Sequence, residues 1–472
     1  MTSHQIKLEV ERKLTENMDF KSFGTSIMQF PTSFPDTPST PHTPICSEIL
    51  YGLFVGDALG AQNEFKGRSH ATPIPVGTKY KAIEGRNLPY GGLTDDGAMA
   101  LATLYALNNS NGISLTTARE FLTIMQKRNI AWNDYSTTAQ AEILDTAKAV
   151  MDSYAAWLTK GVFSNGQSDV GVTVEREVLE YINTKQQYPE DLDMRIGEKL
   201  RFLKNDEHNG GNGTIMKQAA ITYFVLNKYV VDDEFTSEKL IEVLDYSSAL
   251  SVIISRLTHS ARMPDLMVLL LNAIMVLNFY YNKKGILFDR FERIAKIFDD
   301  CREMVFDKYC STLPLSSLDR TLYEQLTETS KSLFVEKLPE QPKISKRFAK
   351  ILGKKQPAGK VLVTQDRPDN TPLFFKRFNY AQLRNGGYCF DTMTSALWCF
   401  LAGDSFEDGL YKAVNLFGDA DTIAAVYGQI AASFYGLSDI PEHLITELYD
   451  IPVINFVLSN SQSAPNNKCI TV

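Results

Sequence analysis

Three glycines spaced four apart, Gly52, Gly56 and Gly60, run through a stretch in which Ile49, Leu50, Leu53 and Phe54 keep helical spacing. Glycine at that interval leaves one helix face without side chains, so the backbone of a neighbouring helix can come close. The same helical spacing recurs beyond it and predicts helices over 97–109, 115–128, 136–159, 172–184, 213–228, 237–258 and 264–282. Strand-like alternation is scarce. The expected fold is therefore all-α, with helix packed on helix.

The longest apolar run, Leu266 to Tyr281, is interrupted by Asn272 and Asn278. It falls short of the roughly 20 residues a bilayer requires, so it reads as a buried core helix and no integral membrane span is expected. The first fourteen residues lack the apolar stretch of a signal peptide. Six scattered cysteines without a CxxC pair argue against a zinc site or disulfide framework, which makes a cytoplasmic location the expectation. A net charge of -8 and the absence of a basic, aromatic-interleaved stripe exclude a general nucleic-acid binder.

Residues 1–45 form a Pro/Ser/Thr-rich extension with three Thr-Pro steps, after a short charged helix over 5–19. A domain is expected over 46–457. It is interrupted by an insertion at about 283–380 that carries amphipathic helices (285–307, 315–334) and a basic loop from Lys343 to Lys360. The tail, 458–472, is polar. It ends Cys469-Ile470-Thr471-Val472, the bare form of a prenylation signal, but with an atypical last residue and no polybasic stretch before it.

Two acidic clusters each open a helix: Thr94-Asp95-Asp96 and Asp419-Ala420-Asp421-Thr422. Asp and Thr are ordinary helix caps. A cap needs one oxygen, however, and each cluster offers two carboxylates and a hydroxyl within four residues. That surplus repels itself unless a cation relieves it. All-oxygen ligands suit Mg²⁺ or Mn²⁺ better than Zn²⁺. Glu64 stands alone after a run of small residues. Asn209, Gly210, Gly211, Asn212 and Gly213 form a glycine-rich turn into an apolar segment, a place where backbone N–H groups can meet phosphate oxygens. Thr258-His259 closes another helix.

In this order, these elements resemble the ADP-ribosylglycohydrolase family, of the dinitrogenase-reductase-activating glycohydrolase type. The motifs are Gly56-Asp57-Ala58-Leu59-Gly60-Ala61 with Glu64, Thr94-Asp95-Asp96, Gly211-Asn212-Gly213 with Met216, and Thr258-His259. They continue with Gly386-Gly387-Tyr388-Cys389-Phe390-Asp391-Thr392, Ala396-Leu397-Trp398 and Gly418-Asp419-Ala420-Asp421-Thr422. The resemblance implies a compact multi-helix domain that hydrolyses the bond between ADP-ribose and a protein side chain or small conjugate. It implies two Mg²⁺ or Mn²⁺ ions held by Thr94, Asp95, Asp96, Asp419, Asp421 and Thr422. Glu64 or Asp96 would act as general base or gate, Asn209 to Gly213 would contact the diphosphate and adjoining ribose, and His259 would line the cleft. A weaker match covers Phe163 to Gly166 and Asp169 to Gly171.

Two positions depart from the family pattern: Gly97, where Thr is frequent, and Lys217, where Arg is common. The insertion has no typical counterpart and is expected to recruit a protein partner. A non-catalytic ADP-ribose binder and a metal-dependent phosphoester hydrolase are the competing readings. The side-chain linkage stays open at this stage.

Overall fold

The computed structural model describes residues 46–68, 71–126, 131–164, 170–201, 209–230, 235–306 and 380–460. The extension 1–45, the helix expected over 315–334, the basic loop, Asn165 to Asp169 and the tail from 461 lie outside the described residues.

Within them the chain is helical. The helices are α1 (Ser47–Gly60), α2 (Asp95–Asn109), α3 (Leu115–Ile124), α4 (Thr137–Lys160) and α5 (Val172–Gln187). Next come α6 (Leu192–Arg201), α7 (Gln218–Tyr229), α8 (Ser237–Thr258), α9 (Arg262–Lys283) and α10 (Arg290–Cys301). After 380 follow α11 (Cys389–Ala402), α12 (Phe406–Val414), α13 (Ala420–Tyr435), α14 (Glu442–Thr446) and α15 (Ile451–Asn460). No strand forms among the described residues; there are only isolated bridges, including Glu64 with Gly418 and Gly211 with Tyr388. Side-chain caps begin many of the helices. Ser114, Ser136, Thr236 and Ser405 each accept the N–H three residues on, as the sequence signals require.

The glycine stripe forms the central seam. A Cβ on Gly52 would lie 2.3 Å from the Gly428 carbonyl oxygen, one on Gly56 2.1 Å from that of Ala424, and one on Gly60 2.5 Å from that of Ala420. The order runs backwards along α13, so α1 and α13 are antiparallel and meet backbone to backbone. This pairing brings the C-terminal end of α1 beside the N-terminal end of α13.

Helix α9 is long and apolar enough to cross a membrane, yet every residue from Met263 to Phe279 is buried inside the helical assembly. Its two asparagines are bonded to neighbouring helices. Asn272 accepts from Thr222 Oγ1 at 2.9 Å and donates to Ser247 Oγ at 2.8 Å, and Asn278 donates to Ser433 Oγ at 2.9 Å. A fully enclosed pair, Arg256 and Asp265, joins α8 to α9 at 2.8 Å, and Arg256 also donates to the Leu200 carbonyl of α6 at 2.6 Å.

Two local differences from the sequence reading have plain causes. The helix expected from 213 starts as a 3-10 turn, Ile215–Lys217, and becomes α-helical at Gln218. Side chains have taken the first carbonyls: Lys217 holds that of Gly213, Gln218 that of Thr214, and Gln429 of α13 those of Ile215 and Met216. Helix α6 was not anticipated, although Leu192, Ile196 and Leu200 carry an i, i+4 pattern and are its buried face.

Candidate functional site

Three helix ends converge where the seam closes. Asp57 lies on α1, fully buried, in a stretch otherwise made of small and apolar residues. Its carboxylate accepts the Thr94 hydroxyl at 2.6 Å, the Thr94 N–H at 3.0 Å and the Gly97 N–H at 2.9 Å. It therefore fixes the first turn of α2, which carries Asp95 and Asp96. A Cβ at position 97 would lie 2.7 Å from Asp57 Oδ2, so Gly97 is what lets that carboxylate approach. On the opposite side, Asp419, Asp421 and Thr422 open α13.

The result is two groups of carboxylates sharing one member. Ligand atoms of Asp57, Asp96 and Asp421 lie within 4.8 Å of one another, and so do those of Glu64, Asp419 and Asp421. The Thr422 hydroxyl reaches Asp96 Oδ1 and Asp419 Oδ1, both at 3.3 Å. Asp96 Oδ2 and Asp421 Oδ1 are buried without a hydrogen-bond donor. Buried acceptors of this kind fit a cation, which would supply the missing partner.

Electrostatics points the same way. Burial pushes the carboxyl groups of Asp95, Asp96 and Asp421 well above the usual range, and their acidic neighbours push them further. Burial raises Asp57 to about 7, against the pull of its three donors. Glu64 is half-buried and raised by burial, with Arg86 drawing it back through an ion pair. Arg86 also stacks on the exposed Phe65, 5.1 Å from the ring centre.

The backbone around Glu64 is tied to the loop before α13. Phe65 N donates to the Gly418 carbonyl at 2.6 Å, and Gly418 N to that of Lys66 at 3.0 Å. Gly418 has φ +68°, and a Cβ there would strike the Asn385 carbonyl at 2.3 Å, so only glycine fits.

The glycine-rich turn abuts this centre. Asn212 N donates to the Gly387 carbonyl at 3.0 Å and Cys389 N to that of Gly210 at 2.9 Å, which docks the turn on the start of α11. The Asn212 amide donates to Thr392 Oγ1 at 2.9 Å and to Asp419 Oδ2 at 2.5 Å. Asn209 accepts from Arg176 of α5 at 3.2 Å. His259 lies beneath the turn: hypothetical Cβ atoms on Gly211 and Gly213 would each come within 2.9 Å of its ring. Its Nδ1 is 2.9 Å from Thr258 Oγ1, and burial drives the imidazole down to about 3, so it is neutral.

Of the residues expected as metal ligands, Asp96, Asp419, Asp421 and Thr422 are thus in mutual reach. The Thr94 hydroxyl is turned onto Asp57, and Asp95 lies outside both carboxylate groups. His259 is 2% exposed and supports the turn from inside. Sequence reasoning assigned no role to Asp57 or Arg86. A lone carboxylate in an apolar helix was the available sign of Asp57; Arg86, at the end of a short 3-10 turn, gave none.

A profile of the ADP-ribosylglycohydrolase family matches residues 47–462, and the chain belongs to that family. Among curated proteins it is similar to ADP-ribosylarginine hydrolase Tri1 of Serratia proteamaculans, 39% identical over 74 residues, which are 16% of this chain and 20% of that protein. It is similar to ADP-ribosyl-[dinitrogen reductase] glycohydrolase of Rhodospirillum rubrum, 37% identical over 65 residues, 14% of this chain and 22% of the relative. It is also similar to ADP-ribosylhydrolase ARH3 of Homo sapiens, 34% identical over 73 residues, 13% and 20% of the two chains. The chain thus aligns with about a fifth of the length of these relatives. A solved ADP-ribosylglycohydrolase-related protein complex aligns over 89% of this chain and 98% of its own, at 20% identity and a TM-score of 0.48.

Proposed function

We propose that this protein is a metal-dependent hydrolase that cleaves the glycosidic bond between ADP-ribose and a modified protein side chain or small conjugate. The observation that carries the reading is the pair of carboxylate groups sharing Asp421, with donor-less oxygens on Asp96 and Asp421. Hydrolysis at the anomeric carbon builds positive charge on the ribose, and a bound divalent cation would hold the sugar hydroxyls and polarise water there.

The chain's own groups divide the remaining work. Asp96, Asp419 and Asp421 would hold a divalent cation, and Asp57 keeps the first turn of α2 in place. Asn212 fixes Asp419 through its amide while belonging to the turn that would take the diphosphate. Glu64, half-buried and raised, accepts the proton of the attacking water at its carboxylate as the water oxygen bonds to the anomeric carbon; the side-chain atom leaves with the bonding pair and takes up that proton from Glu64. Arg86 orients that carboxylate from the outer side.

The test is release of free ADP-ribose from arginine- and serine-modified proteins, with Mg²⁺ and with EDTA. Release from one substrate that stops with EDTA is the expected result. Absence of release from both, with tight ADP-ribose binding by calorimetry, replaces the proposal with a binding role or another linkage.

A further inference from the structure

Lys217 is completely enclosed, and its Nζ donates to the Gly213 carbonyl at 2.7 Å. The ammonium sits 5.1 Å from the centre of the Tyr154 ring, and the Tyr154 hydroxyl is 2.7 Å from Thr103 of α2. The 3-10 turn that carries Lys217 packs against α2, whose first residues are Asp95 and Asp96. Burial pushes the lysine down to about 7, and Asp95 and Asp96 pull it back. Its charge in turn helps to keep His259 neutral beneath the turn.

One buried amine therefore holds the glycine-rich turn from inside, on a 3-10 turn packed against the helix that opens with Asp95 and Asp96. Among the described residues no carboxylate pairs with it directly. Enclosing a charge in this way is costly, and methionine, similarly long and unbranched, would fill the same space. A group kept at such a cost invites an electrostatic explanation.

We propose that Lys217 is a positioning residue that acts on the two halves of the site in opposite senses: it strengthens the hold of the turn on an anionic diphosphate and weakens the hold of the acidic centre on divalent cations. The inference rests on the functional reading given above. The Gly213 carbonyl, clamped by an N–H donor, keeps the turn in one conformation. At pH 6.5, below its shifted value of about 7, the positive charge behind the turn adds attraction for phosphate oxygens. The same charge offsets part of the negative field of Asp95 and Asp96 that draws a cation in.

The experiment is calorimetry on the full chain at pH 6.5, titrating Mn²⁺ alone and then ADP-ribose at saturating Mn²⁺, for wild type, Lys217→Met and Lys217→Arg. Lys217→Met should bind Mn²⁺ about tenfold more tightly and ADP-ribose about tenfold more weakly, the scale of one charge removed at moderate distance inside a protein. Its melting temperature should not fall, and Lys217→Arg should keep both affinities near wild type. A merely structural lysine would lower stability and move both affinities the same way, or neither; that result overturns the assignment. If Lys217→Met does not fold, Lys217→Gln carries the same opposed-shift test. Wild type that binds neither Mn²⁺ nor ADP-ribose overturns the reading of the site, and this inference with it. Wild type that binds both, without opposed shifts in the variants, overturns this inference alone.

Discussion

Gly56→Ala tests whether the seam between α1 and α13 positions the acidic centre. In an uncrowded helix this change stabilises by about 0.5–1 kcal/mol, because alanine loses less backbone freedom on folding. Here the new Cβ would lie 2.1 Å from the Ala424 carbonyl oxygen. A carbon–oxygen contact rests near 3.3 Å, so the two backbones must part by about 1 Å. Overpacking of that kind costs about 1–3 kcal/mol, which leaves a net loss of up to about 2.5 kcal/mol. Asp57 follows Gly56 directly, and Asp421 sits one turn from the opposing Ala424, so the separation also spreads the carboxylates. Urea unfolding of wild type and variant measures the first effect, and Mn²⁺ titration the second. Gly85→Ala is the control: no atom of the described residues lies within 4 Å of its Cβ position, and it should change stability by less than about 0.5 kcal/mol. A Gly56→Ala variant as stable as wild type, or more so, with unchanged Mn²⁺ affinity, would refute the reasoning.

Other outcomes follow from the same geometry. Asp421→Asn should reduce ADP-ribose release by more than about 100-fold while leaving the metal-free melting temperature equal or higher, since it removes a buried charge repelled by its neighbours; retained activity would contradict the metal role. In EDTA the protein should lose stability as pH rises from about 4 to about 7. Asp57 is raised from 3.8 to about 7, so across that window the folded state binds more protons than the unfolded one, and stability falls with pH. Saturating Mn²⁺ should remove most of that slope in thermal melts, and an identical slope with and without the ion would count against the centre.

Much of the fold could be read from the residues, because helix spacing and small-residue stripes are local signals. Gly52, Gly56 and Gly60 announced a close helix partner, and Asn272 and Asn278 marked α9 as a packed helix with polar bonds to make. What could not be read was which helix would fill the seam. Sequence motifs showed the acids of α2 and α13 and contained Asp57 without giving it a role, since that role arises only when Thr94 and Gly97 fold over it. His259 shows the reverse: its motif suggested a cleft wall, while its packing under Gly211 and Gly213 depends on how tightly the turn closes. The late α-helical start at Gln218 likewise depends on Gln429, a donor more than 200 residues away.

The seam also sets a timetable for synthesis. Helix α1 ends at Gly60 and α13 begins at Ala420, 420 − 60 = 360 residues later. At about 5–20 residues per second, a ribosome needs roughly 20–70 s to supply the second helix after the first. Throughout that interval the bare glycine face of α1 has no partner, and Asp57 waits without Asp421. The two carboxylate groups that share Asp421 cannot assemble until α13 has been made. A product truncated before α13 would present an unmatched backbone face, the kind of surface chaperones hold and proteases find.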